Sequence, residues 1–363
     1  MNSSSRPLRA RIHLEAIRQN YRLAKELAPS ARALAVIKAN AYGHGAVAVA
    51  RTLADEADGF AVACVEEALE LRESGIRGPI LLLEGVFSPE EIALVDRAGL
   101  AMVVHGREQL AWVLSARPAR PLDCWIKVDT GMHRVGFAPS DVAEVQSALA
   151  ACPHLGELSA MTHFARADEP EHPYTRLQLA TFARALEGQA IPRSLANSAG
   201  ILAWPESHGD WTRPGIMLYG VSPLIGAASP AVTLRPAMTL ESAIISIRDL
   251  AAGEPVGYGG RFVCDRPTRV GVAAIGYADG YPRHARDGTP IAVKGRLTRL
   301  IGRVSMDMIT LDLTGMADAR VGDPVELWGG MVSATDVALA SDTIAYQLFT
   351  GLSRRVPLIH EDA

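Results

Sequence analysis

Short apolar runs alternate with longer amphipathic segments between residue 30 and about residue 220. Glycine, proline or acidic residues bound most of these runs, as is typical of strands that are buried in a parallel sheet. The runs predict eight strands, at residues 34–37, 59–64, 80–84, 101–105, 124–129, 158–163, 194–197 and 211–216. Between most of them apolar residues recur at i, i+3 and i+4, which predicts helices at residues 46–57, 65–73, 89–98, 107–115, 140–150 and 175–186.

Eight strands that each lead into a helix or a crossover indicate an α/β fold with a closed (β/α)8 barrel of the TIM type, which we expect over residues 1–235. An open doubly wound sheet is the alternative. That fold usually carries a Gly-x-Gly-x-x-Gly turn after its first strand, and no such turn follows residues 34–37. The sequence therefore favours the barrel.

The pattern changes after Arg235 and Pro236. Strand-like runs separated by glycine, proline and aspartate turns follow at residues 239–248, 270–275, 290–293, 297–304, 308–313 and 324–328, with one helical segment at residues 333–351. This pattern predicts a second, mostly β domain with antiparallel connections over residues 236–363.

Composition excludes some partners. The chain has 363 residues and a net charge of −4, from 36 basic and 40 acidic residues, with no basic run. We therefore expect neither nucleic acid nor an anionic membrane as a partner. No signal peptide or spanning segment is evident. The four cysteines are scattered without a Cys-x-x-Cys pair, which favours free thiols in a reducing cytoplasm and argues against a metal site.

The first residue with chemical potential is Lys38, which follows the apolar run at residues 33–37 and precedes a loop rich in glycine. At the rim of an apolar pocket, desolvation favours the neutral amine. A neutral lysine amine forms a Schiff base with a carbonyl cofactor such as pyridoxal phosphate. Taken alone, Lys38 could equally be a solvated surface lysine.

Other polar residues also fall at the ends of predicted barrel strands. In a barrel, catalytic groups gather at the carboxyl ends of the strands, and a phosphate site commonly follows strands seven and eight. The residues at these positions are Lys38, Arg134, His163, Asn197, Ser198, Arg213, Gly215 and Ile216. Each alone could be a core, turn or surface residue. As a set they predict a site in which Ser198, the amides of Gly215 and Ile216, and the Tyr42 hydroxyl bind a phosphate.

Lys127 lies inside the apolar run of the fifth predicted strand. A buried lysine must be paired or modified, because an isolated buried charge is costly.

Six motifs together resemble the alanine racemases. They are Ala-Val-Ile-Lys-Ala-Asn-Ala-Tyr-Gly-His-Gly (35–45), Lys-Val-Asp-Thr-Gly-Met-His-Arg (127–134), Ala-Asn-Ser-Ala-Gly (196–200), Arg-Pro-Gly-Ile-Met-Leu-Tyr-Gly (213–220), Ile-Gly-Tyr-Ala-Asp-Gly-Tyr-Pro-Arg (275–283) and Gly-Arg-Val-Ser-Met-Asp (302–307). The resemblance covers essentially the whole chain. The first motif alone would be shared with amino-acid decarboxylases of the same barrel type, whereas the six together are not.

The resemblance implies a pyridoxal 5'-phosphate enzyme that interconverts L-alanine and D-alanine by a two-base mechanism on the external aldimine. Lys38 would hold the cofactor and act as the base on one face of Cα, and Tyr277 would act on the opposite face. His163, hydrogen-bonded to Tyr277 and to Arg213, would assist the tyrosine. Arg213 would donate to the pyridine nitrogen, which then stays unprotonated because arginine does not give up its proton.

The resemblance also implies the remaining site residues. Arg134 would contact the substrate carboxylate and the cofactor phenolate. Met306 and Asp307 would line the approach to the substrate, and Lys127 matches a position that is carbamylated in many relatives. Asn197 and His163 would contact the cofactor, and Tyr346 matches a second tyrosine beside its phosphate.

In the family, residues of the C-terminal domain reach the barrel of the other subunit. We therefore expect a homodimer with shared active sites, to which Tyr277, Met306 and Tyr346 contribute across the interface. The D-alanine would serve peptidoglycan synthesis or be an intermediate of catabolism. The alternatives are a decarboxylase or aldolase on a similar barrel, which Arg213 and Tyr277 oppose, a non-catalytic cofactor-binding barrel, and a racemase that also accepts serine or other small amino acids.

Overall fold

A computed structural model describes residues 5–225 and 232–361 of the chain. The chain divides into two compact units. The barrel unit comprises Ile17–Ala41 and Ala46–Arg235, and the β unit comprises Met1–Ala16, Tyr42–Gly45 and Pro236–Ala363. Strand β1 (Arg9–His13), the first element of the chain, belongs to the β unit.

The barrel unit contains a closed barrel of eight parallel strands in sequential order. The strands are β2 (Arg32–Val36), β3 (Gly59–Val62), β4 (Ile80–Leu82), β5 (Ala101–Val104), β6 (Leu122–Lys127), β7 (Leu155–Met161), β8 (Arg193–Ser194) and β9 (Trp211–Thr212). β2 pairs with both β3 and β9, which closes the barrel. The predicted fold class, a TIM-type barrel followed by a β-rich domain, is confirmed.

The helices of the first part of the chain alternate with these strands. They are α1 (Leu14–Leu27), α2 (Lys38–Gly43), α3 (Ala46–Leu53), α4 (Val65–Glu73), α5 (Ile92–Ala98), α6 (Arg107–Ser115), α7 (Val142–Ala150), α8 (Tyr174–Ala185) and α9 (Ser198–Ala203). Each of α3 to α8 turns some apolar residues to the interior, as Val49 and Leu53 do in α3. The helices thus cover the barrel strands, whose residues are almost all buried.

The β unit is built around an eight-stranded sheet that includes β1. The further strands of the β unit are β10 (Met238–Leu250), β11 (Pro255–Val256), β12 (Phe262–Val263), β13 (Thr268–Ala273), β14 (Pro290–Val293), β15 (Arg296–Arg299), β16 (Ile309–Asp312), β17 (Pro324–Trp328) and β18 (Leu358–Glu361). β11 and β12 form a separate two-stranded sheet. The long strand β10 pairs with β1 and β17 along its first half and with β13 along its second half.

Two features of the β unit differ from the expected pattern. The predicted helical segment at residues 333–351 is two helices, α10 (Ala334–Ala340) and α11 (Ala345–Thr350), because the chain turns at Ser341–Ile344 with Asp342 at φ +49°. The strand pairs are antiparallel except for β1 and β18, which are parallel.

The sequence places residues 1–16 in the barrel, whereas the structure groups the described residues 5–16 with the β unit. The backbone hydrogen bonds of β1 explain this difference, since β1 pairs with β10 on one side and with β18 on the other. Neither β1 nor α1 is among the elements predicted from the apolar pattern. The strands that pair with β1 lie more than 200 residues further along the chain, and such pairings leave no local signal.

The last barrel strands are shorter than predicted. β9 ends at Thr212 rather than at residue 216, because Pro214 has no N–H to donate to a neighbouring strand. In the part of the chain that the structure describes, no helix is long and apolar enough to cross a membrane. All four cysteines are free thiols.

Candidate active site

The segment after β2 takes an unusual backbone conformation. Lys38 begins α2, and the four residues that follow it, Ala39 to Tyr42, have φ angles between +50° and +54°. A run of L-residues in the left-handed region costs roughly 1–2 kcal/mol for each residue. Such strain persists only where the surrounding structure holds it, and it concentrates at functional sites. The sequence predicts an ordinary loop here, because the strained residues are not glycines. Only Gly43 and Gly45, which follow them, favour positive φ angles.

The first half of this left-handed turn is held within the barrel unit. The Glu67 carboxylate accepts hydrogen bonds from the backbone N–H groups of Ala39 and Ala63, both at 2.7 Å. The Asn40 side chain accepts one from the N–H of Ala46 at 2.8 Å. Glu67 therefore joins the ends of β2 and β3 beside Lys38. Glu67 is not among the site residues expected from the sequence, although an acidic residue in the first turn of the helix after a barrel strand is a usable signal.

The second half of the turn packs within the β unit, on α11 and β18. The ring of His44 lies edge-on to Phe349, with ring centroids 5.1 Å apart. His360 Nε2 lies 2.8 Å from the backbone oxygen of His44. At Gly43 (φ +80°) any Cβ would overlap the carbonyl oxygen of Phe349, so only glycine fits.

This packing places Tyr346 beside Tyr42 of the same chain, with ring centroids 5.8 Å apart. The two predicted phosphate-side tyrosines are thus brought together. The expectation that Tyr346 contributes to the barrel of the other subunit is wrong for this residue, because Tyr42 lies only four positions after Lys38 in its own chain. Burial raises the pKa of Tyr42 to about 12, so its hydroxyl stays protonated and can donate a hydrogen bond.

A cluster of cationic groups lies at the carboxyl ends of the barrel strands. Lys127, the last residue of β6, is 8% exposed. Burial, followed by the positive charges of Arg213, Arg134 and Lys38, lowers the pKa of Lys127 to about 7. An amine with that pKa is largely uncharged and nucleophilic at mildly alkaline pH. The structure thus brings four of the predicted site residues together.

His163 belongs to the same cluster. Burial is the main cause that holds the pKa of His163 well below its usual value. The positive charges of Lys127, Arg213, Arg134 and Lys38 lower this pKa further. The imidazole is therefore neutral at pH 7 and can accept a hydrogen bond. Lys127, Arg134 and His163 also line one small pocket with Val128, Asp129, Met132 and Val135.

Three buried polar residues form a hydrogen-bonded network that reaches the backbone of His163. The Gln178 amide donates to the backbone oxygen of His163 at 3.2 Å and to Thr130 Oγ1 at 3.1 Å. The hydroxyls of Thr130 and Thr162 lie 2.8 Å apart, and Thr162 donates to the backbone oxygen of Val128. The sequence did not reveal this network, because threonines that follow strands, as Thr130 and Thr162 do, and a glutamine within a helix, as Gln178 is in α8, carry no chemical signature.

Arg213 follows β9 and is 3% exposed. Its guanidinium donates to Ser194 Oγ at 2.6 Å and to the backbone oxygens of Thr162 and Leu195 at 2.7 and 3.3 Å. Within the described residues it forms no hydrogen bond with His163, which corrects the expected His163–Arg213 bond. Burial lowers the pKa of Arg213 to about 10, so the group remains a cation at pH 7.

The predicted phosphate-binding residues meet between β8 and β9. Ser198 is the first residue of α9, and its Oγ accepts hydrogen bonds from the N–H groups of Gly215 at 2.9 Å and Met217 at 3.3 Å. Asn197 caps the same helix, since its side chain accepts from the N–H of Gly200. Ile216 begins a short 3-10 helix, Ile216–Tyr219. Two helix starts with their backbone N–H groups therefore converge, and such groups favour a bound anion.

The β unit carries the other predicted residues. Tyr277 opens a one-turn 3-10 helix, Tyr277–Asp279, shortly after β13, and it is 38% exposed. The backbone N–H groups of Tyr277 and Ala278 donate to the carbonyl oxygens of Ser305 and Met306, both at 3.0 Å. Tyr277 and the Met306–Asp307 segment therefore form one cluster within the β unit.

Comparison with known proteins gives the family. A family model described as "Alanine racemase, N-terminal domain" matches residues 12–223, and one described as "Alanine racemase, C-terminal domain" matches residues 237–360. The chain belongs to the alanine racemase family. The predicted resemblance is thereby confirmed over nearly the whole length of the chain.

Individual members of the alanine racemase family are similar along their full length. An alanine racemase of Pseudomonas entomophila is 55% identical over 353 residues, which cover 97% of this chain and 98% of that protein. A protein of Pseudomonas putida named "Alanine racemase, catabolic" is 55% identical over 352 residues, with the same coverage. The crystal structure of the biosynthetic alanine racemase from Pseudomonas aeruginosa has a TM-score of 0.96 and 49% identity, covering 98% of this chain and 100% of that one.

Proposed function

We propose that this chain is a pyridoxal-phosphate-dependent racemase that interconverts L-alanine and D-alanine with two bases, Lys38 and Tyr277. The observation that carries the proposal is the cationic cluster at the barrel rim, where the charge of Lys38 contributes to the lowered pKa values of both Lys127 and His163. Perturbed pKa values from burial and specific charges are typical of active sites. Membership of the alanine racemase family gives the cluster its chemistry.

The residues present fit the cofactor. Lys38 offers an amine to an aldehyde, and the converging helix starts at Ser198 and Ile216 offer N–H groups to a phosphate. Tyr42 can donate a further hydrogen bond to that phosphate. When bound, pyridoxal phosphate supplies an aldehyde that condenses with the substrate amine and a conjugated ring that stabilises the negative charge left when the α-proton departs.

Lys38 and Tyr277 move the protons. Racemisation requires that the α-proton leaves from one face of Cα and that a proton returns from the other face. We assign the removal of the proton from L-alanine to Tyr277 and from D-alanine to Lys38. In either direction the other residue returns a proton, so both are needed for net inversion.

Arg213 limits the chemistry to racemisation. A buried guanidinium that stays cationic donates hydrogen bonds and accepts none, so a pyridine nitrogen opposite it stays unprotonated. An unprotonated ring withdraws less charge than a protonated one. Decarboxylation and transamination, which depend on stronger withdrawal, are then disfavoured. The contacts of Arg213 with Ser194, Thr162 and Leu195 support a fixed orientation of the guanidinium.

Arg134 would bind the substrate carboxylate, with a modified Lys127 beside it. The lowered pKa of Lys127 provides an uncharged amine that can react with carbon dioxide to form a carbamate. The carbamate is an anion, so the repulsion that Lys127 experiences from Arg134, Arg213 and Lys38 would become attraction. Met306 would line the approach of the substrate, as would Asp307.

We further propose a homodimer in which Tyr277 and Met306 complete the site of the partner. Both side chains are exposed in the single chain, Met306 at 53%, and exposed apolar residues of this size favour an interface. The product D-alanine serves either cell-wall synthesis or degradation, and relatives named for each role match this chain closely. A cytoplasmic location remains a prediction from the free cysteines.

Incubation of the purified protein with pyridoxal phosphate and L-alanine tests the proposal, with L-serine and L-lysine as competing substrates. We expect D-alanine to form until the two enantiomers are equal, as measured by chiral chromatography. Slower conversion of serine would define the breadth of the pocket. Release of carbon dioxide would instead indicate a decarboxylase, and an unchanged substrate would indicate a cofactor-binding barrel without activity.

A further inference from the structure

A fully buried carboxylate lies in the same helical turn as the predicted catalytic tyrosine, two residues after it. The Asp279 side chain is 0% exposed and ends the one-turn helix that Tyr277 begins. The Arg6 guanidinium donates to both of its oxygens, at 2.6 and 2.8 Å. The backbone N–H of Gly276 donates to Oδ2 at 2.9 Å. The carboxylate therefore joins the N-terminal segment to the residues on both sides of Tyr277.

A second arginine extends this network to the loop that carries Met306. Arg355 Nε lies 3.2 Å from Asp279 Oδ1, and Arg355 Nη2 donates to Asp307 Oδ1 at 2.5 Å. Arg6 also donates to the backbone oxygen of Asp307 at 2.8 Å. The two arginines thus hold Asp279 and Asp307 against each other, and all four residues belong to the β unit.

The backbone on both sides of Tyr277 is tightly packed against neighbouring segments. A Cβ at Gly276 would overlap the carbonyl oxygens of Ser305 and Met306. The backbone oxygen of Asp279 accepts a hydrogen bond from Ser353 at 3.0 Å. A single helical turn does not maintain its own conformation in water, so these contacts determine where the turn sits.

We propose that Asp279, with Arg6 and Arg355, is the positioning device that fixes Tyr277 relative to Met306 and Asp307. The proposal rests on the proposed function, in which Tyr277 is the base for L-alanine. Bidentate arginine–carboxylate pairs fix orientation as well as distance. A buried carboxylate that loses one of its cations becomes an uncompensated charge, and the structure around it rearranges. Loss of Arg6 should therefore displace Tyr277.

The test compares Arg6→Gln with Arg9→Gln in the holoenzyme. Arg9 lies three residues from Arg6 and also pairs with a carboxylate of the β unit, that of Glu241. Among the described residues, the side-chain partners of Asp279 are Arg6 and Arg355 and do not include Arg9. We expect exchange of the L-alanine α-hydrogen with D2O to fall at least about tenfold in Arg6→Gln, the cost of a misplaced catalytic group. Exchange of the D-alanine α-hydrogen, which needs Lys38 alone, should stay within about twofold of wild type. Arg9→Gln should leave both rates unchanged.

The exchange rates of the two enantiomers distinguish a positioning role from a general structural defect. An equal loss for both enantiomers would show a general structural defect and overturn a positioning role, as would unchanged rates for both. If Arg6→Gln does not fold, Arg355→Gln replaces it, since Arg355 touches the same carboxylate from a more exposed position. Arg6→Lys, which keeps the charge but loses the bidentate geometry, should give an intermediate rate.

A double variant separates this proposal from the proposed function. If Arg6 acts through Tyr277, adding Arg6→Gln to Tyr277→Phe should lower L-alanine exchange by less than about twofold further. A full additional loss would mean that Arg6 acts elsewhere. If Tyr277→Phe alone keeps wild-type exchange from L-alanine, the two-base function fails, whatever Arg6→Gln does.

Discussion

The side-chain hydroxyl of Ser198 accepts a hydrogen bond from the backbone N–H of Gly215 at 2.9 Å. This bond joins the segments that follow the last two barrel strands, β8 and β9. It holds the starts of α9 and of the 3-10 helix Ile216–Tyr219 side by side. The predicted phosphate-binding amides are therefore prearranged by the chain itself, before any anion binds.

Ser198→Ala should weaken binding of pyridoxal phosphate. The amides of Gly215 and Met217 lose their shared acceptor, and the phosphate loses a hydroxyl donor. We expect the apparent dissociation constant to rise roughly five- to tenfold, equivalent to about 1 kcal/mol of hydrogen bonding. Titration of the apoprotein, followed by the visible absorbance of the bound cofactor, measures the change.

Ser207→Ala is the matched control for that titration. The Ser207 hydroxyl is also buried near α9, but it donates to the carbonyl oxygen of Trp204 at 2.7 Å and has no bond to Gly215. The variant should lose some thermal stability and bind the cofactor as the wild type does. Equal weakening in both variants would contradict a specific role for Ser198.

The pKa of Lys127 predicts a pH-dependent stability. Its folded-state pKa of about 7 lies below the ordinary value of 10.5, so between these values the unfolded chain binds more protons than the folded chain. Folding stability should therefore rise with pH across this window, and below it the full penalty of burying the cation should apply. Thermal unfolding in carbon-dioxide-free buffer between about pH 7 and pH 9 measures the rise. Lys127→Met should remove this part of the pH dependence.

The left-handed turn after Lys38 predicts a trade between stability and activity. Ala39 is exposed with φ +50°, a conformation that glycine adopts without penalty. Ala39→Gly should raise the free energy of unfolding by up to about 1 kcal/mol and lower kcat, because Lys38 would be held less firmly. Denaturant unfolding and steady-state kinetics give the two quantities.

Ala111→Gly provides the comparison for that variant. Ala111 is an exposed residue inside the ordinary right-handed helix α6. There glycine should destabilise the protein by about 1 kcal/mol without changing kcat. If Ala39→Gly lowers the free energy of unfolding as much as Ala111→Gly does, the left-handed conformation of Ala39 carries no strain that glycine can relieve.

Mixing of two inactive variants tests whether the active sites are shared between subunits. Lys38→Ala and Tyr277→Phe should each racemise alanine very slowly. In a mixed dimer one site would combine Lys38 of one chain with Tyr277 of the other, so random mixing should restore about a quarter of the wild-type activity. No gain on mixing, with mixed dimers detected by native mass spectrometry, would mean that each site draws both residues from one chain.

The sequence predicted the barrel because its strands are nearly continuous apolar runs, and such runs are a local signal. It also pointed to Lys38, Arg213 and Tyr277, which we propose as catalytic residues, because they stand in motifs at or shortly after apolar runs. It failed where contacts are distant. β1 pairs with β10 and β18 across most of the chain, and the Arg6–Asp279 pair spans 273 residues.

Backbone conformation was the other feature that could not be predicted from the sequence. Nothing in Ala39, Asn40 and Ala41 predicts a left-handed turn, since none of them prefers it strongly enough to reveal it. The turn exists because Glu67 and α11 hold its two halves. The assignment of Tyr346 to the partner failed for the same reason, because its position follows from that turn.

Exchange of the α-hydrogen in D2O by Tyr277→Phe, measured separately from each enantiomer by mass spectrometry, tests the two-base assignment most directly. Because the two enantiomers have equal free energy, loss of one base must slow net inversion equally in both directions, whereas exchange reports each face by itself. We predict that D-alanine still exchanges with retention of configuration, through Lys38, while exchange of L-alanine is nearly lost. Equal exchange of both enantiomers, or inversion at the wild-type rate, would contradict two bases on two faces.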